Sequence, residues 1–506
     1  MNLSENLRRA AANHPDVAAI LFLDKTIQYR DLDAQVDRFA AGLAQLGLKK
    51  GSRVAMLLGN SPEFIIAYYA IARLGAVSVP INPLYTPGEI QYILADAGVE
   101  AVVSVAPLAP AYQMMKPTLP ALQHVILVGG EAPGFLSFGE VFADSTGLIE
   151  PGIADDDVAV ILYTSGTTGK PKGAMLSHRN VCSNAQYTGD FLQFLQTDTV
   201  VAVLPMFHVF CMTVCLNAPI YRGATLLVLP RFSPTETSKA ILTAKATVFA
   251  GVPTMYNYLL QHPECEPSDL QSLRLAISGG AAMPVAVLKA FEQKFNVMVS
   301  EGYGLSEASP VVTFNPLDRE RKPGTIGVSI PSVEVRVVGE DGRECGPGEV
   351  GELICRGPNV MLGYLNKPEE TALALRDGWL YTGDLVTIDE EGYVTVVDRK
   401  KDMIIVGGFN VYPREVEEVL FKHPAVAEAA VVGIPDMNRG EAVKAFVALK
   451  QENGVSAEDL IAFCKENLAP YKVPAEIDVL AELPKNSTGK ILRRELKKGN
   501  EPKISQ

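Results

Sequence analysis

The sequence predicts a multidomain α/β protein: a large N-terminal domain of βαβ lobes, a small antiparallel β unit and a small α+β C-terminal domain. Three observations carry this expectation. The chain has 506 residues, too many for one ordinary hydrophobic core. Short β-branched runs alternate with amphipathic stretches of helical period over the first three hundred residues, the pattern of parallel strands joined by crossover helices. The texture then changes twice, after about Lys322 and again after about Lys401.

The elements follow in order. Residues 53–58 read as a buried strand, 62–74 as a helix, 76–80 as a strand, 87–97 as a helix and 100–105 as a strand. The alternation resumes with strands near 158–163, 198–204, 224–229, 247–250, 274–278 and 296–300. No charged residue occurs from Val200 to Tyr221, which approaches the roughly 20 residues of a membrane span. Pro205, His208, Asn217 and Pro219 interrupt it. It therefore reads as a strand ending at Leu204, a turn at Pro205 and a buried helix from about Val209, and no transmembrane segment is expected. From Lys322 to Asp398 short strands and Gly-rich turns indicate the antiparallel unit. After Lys401 come a helix at 413–422, strands at 428–433 and 444–449, and a helix at 456–467 with Ser456 and Asp459 as a capping-box variant. Domains are expected at 1–400 and 401–506, joined by a tight hinge.

Composition bounds the function. Hydrophobic residues are 48% and charged residues 20%, values of a soluble globular chain. Lys plus Arg is 45 and Asp plus Glu 58, so 45 − 58 leaves −13. That balance argues against nucleic acid as a partner, since phosphate backbones need a basic face. Seven cysteines lie at 182, 211, 215, 265, 345, 355 and 464 without a CxxC pair, so neither a disulfide framework nor a zinc site is indicated. Cys211 and Cys215 read as small core residues on one helix face. The N-terminal residues lack the apolar core of a signal peptide, and a cytoplasmic location is the default expectation.

The most informative segment runs Tyr163-Thr164-Ser165-Gly166-Thr167-Thr168-Gly169-Lys170-Pro171-Lys172-Gly173. It follows a buried strand. Its glycines permit tight turns, and its hydroxyls, lysines and backbone N–H groups suit an anion. No Asp or Glu occurs from Val158 to Gly189, while Lys170, Lys172 and Arg179 do; together these read as a local positive funnel for phosphate. It is not a Walker A loop, because Gly166 and Gly169 are three apart and Pro171 follows the lysine.

This loop resembles the signature loop of the adenylate-forming superfamily, which includes acyl-CoA synthetases, luciferases and peptide-synthetase adenylation domains. Five further segments resemble its motifs in the family's order: Ser278–Pro284, Glu301–Glu307, Asp377–Asp384, Asp398–Asp402 and Pro484–Lys490. The resemblance covers essentially the whole chain and is nearest to bacterial medium- and long-chain fatty acyl-CoA synthetases. That subgroup likeness rests also on Val360–Tyr364, Gly408–Pro413 and Gly489–Leu496, with Ser306 and Gly407 as departures.

The residues have their own chemistry beside the resemblance. Tyr303, flanked by Gly302 and Gly304, offers a flat ring for adenine. Glu307 can hold a Mg²⁺ that bridges phosphate oxygens, and Thr164 is expected to join it. Asp384 can accept two ribose hydroxyls, with Arg399 as a donor nearby. The resemblance further implies ATP/AMP contacts from Thr164 to Lys170 and at Gly280, Gly302, Tyr303, Gly304 and Ser306. It implies Lys490 as the adenylation lysine, Lys401 as the pivot that makes the C-terminal domain mobile, and Gly407, Gly408 and Phe409 as the CoA-binding loop. The basic residues after Lys490, namely Arg493, Arg494, Lys497 and Lys498, read as a solvated helix starting near Ile491.

Together these imply an ATP-dependent acid–CoA ligase working through an acyl-adenylate. Its cosubstrates are ATP and CoA, its metal Mg²⁺, and its products acyl-CoA, AMP and pyrophosphate. No Asp or Glu occurs between Thr199 and Thr235, so a substrate ammonium would go unpaired at high cost and an uncharged acyl tail is favoured. Phe207, His208, Gly251, Gly279 and Gly280 are the expected acyl pocket, with His208 in a catalytic or gating position or as a packed core histidine. Fatty acids lead. Aryl acids, and a ligase that hands its adenylate to a carrier protein, are the alternatives. A weak peripheral membrane contact is compatible with greasy substrates, and monomer and homodimer both stay open.

Overall fold

The computed structural model describes residues 2–144, 151–164, 170–450, 454–486 and 489–498. Two large sheets dominate. The nine-stranded sheet runs in the order Val328–Ser329, Val311–Phe314, Val299–Gly304, Leu275–Ser278, Val248–Gly251, Thr199–Ala202, Thr225–Val228, Ala18–Phe22 and Lys25–Gln28. Its middle strands pair in parallel. The eight-stranded sheet is built around Arg53–Leu57, Val77–Pro80, Ala101–Val105 and His124–Val128, also parallel, and Val158–Thr164 extends it. Parallel strands buried on both faces must be apolar throughout, which is why their β-branched runs were readable in the sequence.

One continuous core joins the two large sheets through helices. It includes Phe39 on helix Tyr29–Gln45, Phe64, Tyr68 and Tyr69 on helix Pro62–Arg73, and Val201, Phe249 and Ile277 on the nine-stranded sheet. A third sheet is antiparallel, with Glu334–Val338, Gly351–Arg356, Trp379–Ile388 and Val394–Arg399 around its own small core of Val337, Leu353, Val386 and Val394. A fourth comprises Ile404–Val406, Phe409–Val411, Val426–Asp436, Gly440–Leu449 and Glu476–Leu480. Helices Pro413–Lys422 and Ala457–Asn467 pack on it through Val416, Leu420 and Leu460. The Ser456–Asp459 capping box forms as expected, with Asp459 N–H donating to Ser456 Oγ at 3.1 Å.

Three local expectations are corrected. The strand near 296–300 is Val299–Gly304, because Gly302–Gly304 pair with Val311–Phe314. The buried helix after Val209 contains a π segment at Cys211–Asn217 before its α-helical end Ala218–Arg222. Pro219 has no N–H to offer there, and π turns collect at such interruptions. Arg493 is not solvated: its Nη2 donates to both oxygens of Glu417 at 2.7 Å, because Glu417, on the inward face of helix Pro413–Lys422, needs a cation. That terminal helix runs Arg493–Lys498. Among the described residues no helix is long and apolar enough to cross a membrane, and all seven cysteines are free thiols.

The stretch before residue 53 contributes helices Leu3–Asn13 and Tyr29–Gln45, and Arg73 ties them to helix Pro62–Arg73. Arg73 is 4% exposed and bonds Ser4 Oγ at 2.6 Å, Asp37 Oδ1 at 2.6 Å and Asp33 Oδ1 at 2.5 Å. Removing Arg73 takes a buried guanidinium away from Ser4 and from carboxylates that are 22% and 26% exposed, at about 1–3 kcal/mol. Arg73→Leu should therefore lower the apparent Tm more than Asp33→Asn or Asp37→Asn, each of which leaves Arg73 a second carboxylate. Equal Tm values for Arg73→Leu and the parent protein would dismiss the network as a stabilising element.

Candidate active site

The expected site residues sit where parallel strands end. Gly251 closes strand Val248–Gly251, Gly279 follows Leu275–Ser278, Phe207 and His208 follow Thr199–Ala202, and Thr164 ends Val158–Thr164. The carboxyl ends of parallel strands are where open α/β sheets bind ligands. Ser165, Gly166, Thr167, Thr168 and Gly169 lie outside the described residues. Immediately after them, the Lys170 ammonium lies 5.6 Å from the Tyr92 ring centroid and that of Lys172 lies 5.3 Å from the Tyr364 centroid. Arg179, expected in the same positive funnel, turns away. Its Nε donates to Asp156 Oδ1 at 2.8 Å, because the acid-free stretch ends at Asp157 and the helix beginning at His178 points Arg179 back at those acids.

Gly302 and Gly304 are required by close approach. A Cβ at Gly302 would lie 2.1 Å from the Phe314 ring, and one at Gly304 2.2 Å from the Pro310 carbonyl oxygen. Between them Tyr303 is held by its hydroxyl, which donates to Asp384 Oδ2. Burial and the Asp384 charge raise the Tyr303 pKa, so it remains a donor. Arg399 Nε stands 3.5 Å from Asp384 Oδ1, because Asp384 and Arg399 are direct partners on adjacent antiparallel strands. Ser306 opens the short helical turn that carries Glu307. Glu307 Oε1 accepts from the Tyr364 hydroxyl at 2.8 Å, and its other oxygen takes no hydrogen bond among the described residues.

Lys490 enters this region from the C-terminal domain. Burial, then the charge of Arg399, pull its pKa down to about 7, and Asp384 opposes them. His208 is pushed to about 4, first by burial and then by the Lys490 charge, so its ring is neutral at pH 7. Its Nδ1 accepts the Phe210 N–H at 3.3 Å. Lys490 is thus within reach of the charges of Asp384 and Arg399, and His208 within reach of that of Lys490. Gly279 approaches the Phe210 ring, 3.1 Å from an added Cβ, and Gly280, at φ +79°, faces Val252. Gly251 backs onto the Phe249 and Tyr256 rings.

Gly407, Gly408 and Phe409 do not join the cluster. They form the exposed tip of the hairpin Ile404–Val406 and Phe409–Val411, where Phe409 stacks on Tyr471 at 4.8 Å. Lys401 is exposed in the turn that precedes that hairpin. On either side of it, Lys400 N–H donates to Gly383 O and Asp402 N–H to Arg399 O.

Two site-supporting residues carried no signal of their own in the sequence. Tyr364 orients Glu307, and nothing in its spacing foretells that pairing. Glu301 looks like part of the adenine motif, yet it points away from the cluster. It is 1% exposed, Oε1 accepts the Met283 N–H at 2.9 Å, and Oε2 has no partner among the described residues. Glu301 thereby ties the loop after Ser278 to strand Val299–Gly304.

Similar proteins agree with one another. The AMP-binding enzyme family matches residues 7–365, and the AMP-binding enzyme C-terminal domain matches 415–490. A long-chain-fatty-acid–CoA ligase of Bacillus subtilis is 42% identical, over 98% of this chain and 94% of that protein. The crystal structure of the anthranilate CoA ligase AuaEII in complex with anthranoyl-AMP superposes with TM-score 0.93 at 30% identity, covering 99% of this chain and 97% of that one. ATP-bound MatB from Rhodopseudomonas palustris superposes with TM-score 0.92 at 34% identity over 100% of both chains.

Burial raises the Glu301 pKa to about 7, against the Met283 N–H and Arg414, with Glu418 adding to the rise. A carboxyl whose folded pKa lies above its unfolded value binds more protons when folded, so it loses stability as pH rises from about 4.5 to 7. The loss is on the order of 2–3 kcal/mol. Glu301→Gln removes that slope. The variant's Tm relative to the parent should rise between pH 5 and pH 8, and a pH-independent difference would refute the assignment.

Proposed function

The chain belongs to the AMP-binding enzyme family, and on that premise we propose that it is an ATP-dependent acid–CoA ligase, AMP-forming, acting on medium- or long-chain fatty acids. The observation that carries the reading is the convergence on Asp384 of Tyr303 and Arg399, with the charges of Asp384 and Arg399 acting on Lys490. A carboxylate is a poor acyl donor, and attack on the α-phosphorus of ATP converts it to an acyl-adenylate with loss of pyrophosphate. Charge accumulates on phosphate oxygens as this happens, so the protein's task is positioning and electrostatic stabilisation. The Lys490 amine, its pKa lowered by burial and by Arg399, is favoured as an ammonium by polyphosphate and then faces both anions. Neutral His208 adds no charge that would hold a carboxylate in its ground state.

Tyr303 and Asp384 take the nucleoside, with Gly280, Gly302 and Gly304 admitting it closely. Thr164, Lys170 and Ser306 lie toward the phosphates. Glu307 offers one oriented hard-oxygen donor, which fits Mg²⁺, an ion that takes few protein ligands and completes its shell from phosphate and water; the Thr164 hydroxyl would be the second. When bound, the ion would neutralise phosphate charge.

The second half-reaction needs a different surface at the same site. A thiol attacks the mixed anhydride, the C–S bond forms, AMP leaves and the thiol proton passes to solvent. We take the division at 1–400 and 401–506 to be mechanistic: rotation about Lys401 withdraws Lys490 and brings Gly407, Gly408 and Phe409 to the narrow pantetheine arm. The exposure of that hairpin, with Lys490 inside, supports the reading that the two surfaces take turns.

The acid-free wall from Thr199 to Thr235, including the buried segment Cys211–Asn217, supports an uncharged acyl tail, as does the likeness to the Bacillus ligase. The similarity to an anthranilate ligase keeps an aryl acid as the second reading. Seven free thiols suit a reducing cytoplasm.

Two measurements test this. A panel of fatty acids of graded length with benzoates, in a CoA-dependent AMP-release assay, should show activity concentrated on the alkyl acids; activity on benzoates alone would favour the second reading, and none with any acid would refute the ligase. Lys490→Ala should lower adenylate formation by 10²-fold or more, in the range of removing one electrostatic stabiliser, while sparing thiolysis of supplied acyl-adenylate. Equal losses in both halves would refute the alternation.

A further inference from the structure

We infer that the helix Pro253–Gln261 is the latch that seats the lysine loop, with Thr254 and Tyr258 as positioning residues for Lys490. The inference rests on the alternation proposed above. Thr254, Asn257 and Tyr258 share one face of that helix by their spacing of three and four, and all three reach the C-terminal domain. The Thr254 hydroxyl donates to the Gly489 carbonyl at 3.4 Å, one residue before Lys490. Asn257 Nδ2 donates to the Ala427 carbonyl at 3.1 Å. The Tyr258 hydroxyl accepts from Lys485 Nζ at 3.0 Å. The loop that ends in Lys490 is therefore held across the seam near both of its ends, at Lys485 and at Gly489.

Both partners are set for this. Lys485 is fixed within its own domain by Glu428 at 2.9 Å and Glu482 at 3.0 Å, so it presents a positioned ammonium rather than a flexible one. Tyr258 is 37% exposed, with its ring stacked on Phe232; burial does not call for its hydroxyl. At the other end, Val252 lies between two site glycines, 3.5 Å from an added Cβ at Gly280 and 3.1 Å from one at Gly489. Gly489 has φ +82°. The segment from Val252 to Tyr258 thus connects the loop of Gly279 and Gly280 to the lysine loop, and under the proposed alternation it meets that loop only while Lys490 is inside. None of its three hydrogen bonds involves a residue assigned to nucleotide, acid or CoA.

A latch of this kind acts on one half-reaction. In Thr254→Val and Tyr258→Phe, each lost hydroxyl should slow acyl-adenylate formation about 3- to 10-fold, the range for one hydrogen bond. Pyrophosphate release in a single turnover reads this. The effect should fall on the rate with little change in the KM for ATP. The double variant should lose roughly the product of the two. Thiolysis of supplied acyl-adenylate by CoA should stay within about twofold of the parent, and Thr254→Ser, which keeps the donor, should restore adenylation.

Equal losses in both halves, or no loss in adenylation, would overturn the latch. Failure of Thr254→Ser to rescue would overturn the role of Thr254. Should Thr254→Val not fold, Tyr258→Phe decides alone, since it keeps the ring and its stacking. Lys490→Ala in parallel separates this inference from its premise. If that variant splits the two halves and the latch variants do not, the latch falls and alternation stands. If Lys490→Ala fails to split them, the premise falls.

Discussion

The arrangement turns on one constraint, the cost of bringing a lysine ammonium out of water into a site that already holds a guanidinium. Burial and Arg399 pull the Lys490 pKa to about 7, and Asp384 only partly offsets them. A buried cation without a matched anion is unfavourable. A polyanion is the natural counter-charge for such an amine, and binding one favours its protonated form. The sign follows from linkage: a lysine whose pKa falls on closing favours closure more as pH rises from about 7 towards its solvent value. The chain's net −13 is irrelevant at this scale, because the charges that decide are within the site.

Much of the geometry exists to meet that constraint. Parallel strands of the nine-stranded sheet end together, so residues far apart in sequence emerge on one rim: His208, Gly251, Gly279 and Tyr303. The antiparallel sheet adds Asp384 and Arg399 as paired neighbours. The lysine arrives last, on a loop whose conformation is set within its own domain by Asn486. The Lys490 N–H donates to Asn486 Oδ1 at 2.9 Å, and Asn486 N–H donates to the Lys490 carbonyl at the same distance. The helix Pro253–Gln261 then aligns that preformed loop with the rim.

The parts legible in the sequence were those with short-range causes. Strands buried on both faces are apolar runs, helices show their period, and glycines mark close approach. The α/β class, the antiparallel unit after Lys322 and the capping box at Ser456 all have causes of this kind. What was not legible depends on partners distant in sequence. Arg493 looked like one charge in a solvated basic helix until Glu417 appeared opposite it. Arg179 looked like part of a positive funnel because the acid-free run begins at Val158, directly after the acids Asp155 to Asp157, of which Asp155 and Asp156 pair with it in space. The π segment at Cys211–Asn217 has the same apolar composition as an α-helix. Tyr258 and Thr254 lie in a stretch whose only sequence signal was helical, and their function is on the face turned to another domain.

Asp384 shows how far the site is prepared before nucleotide enters. An ionised carboxylate offers about four lone-pair sites on two oxygens. Tyr303 occupies one on Oδ2, and Arg399 stands opposite Oδ1 at 3.5 Å. Both are donors that also neutralise or orient the acid, and together they leave about two sites. The two vicinal hydroxyls of a ribose supply two donors in a fixed relation. The proposed nucleoside contact therefore completes the carboxylate without displacing either resident, and the ring of Tyr303 is held in place by the same group that receives the sugar. A tyrosine so anchored has a fixed ring, and under the proposed alternation it would hold the adenine plane while Lys490 moves.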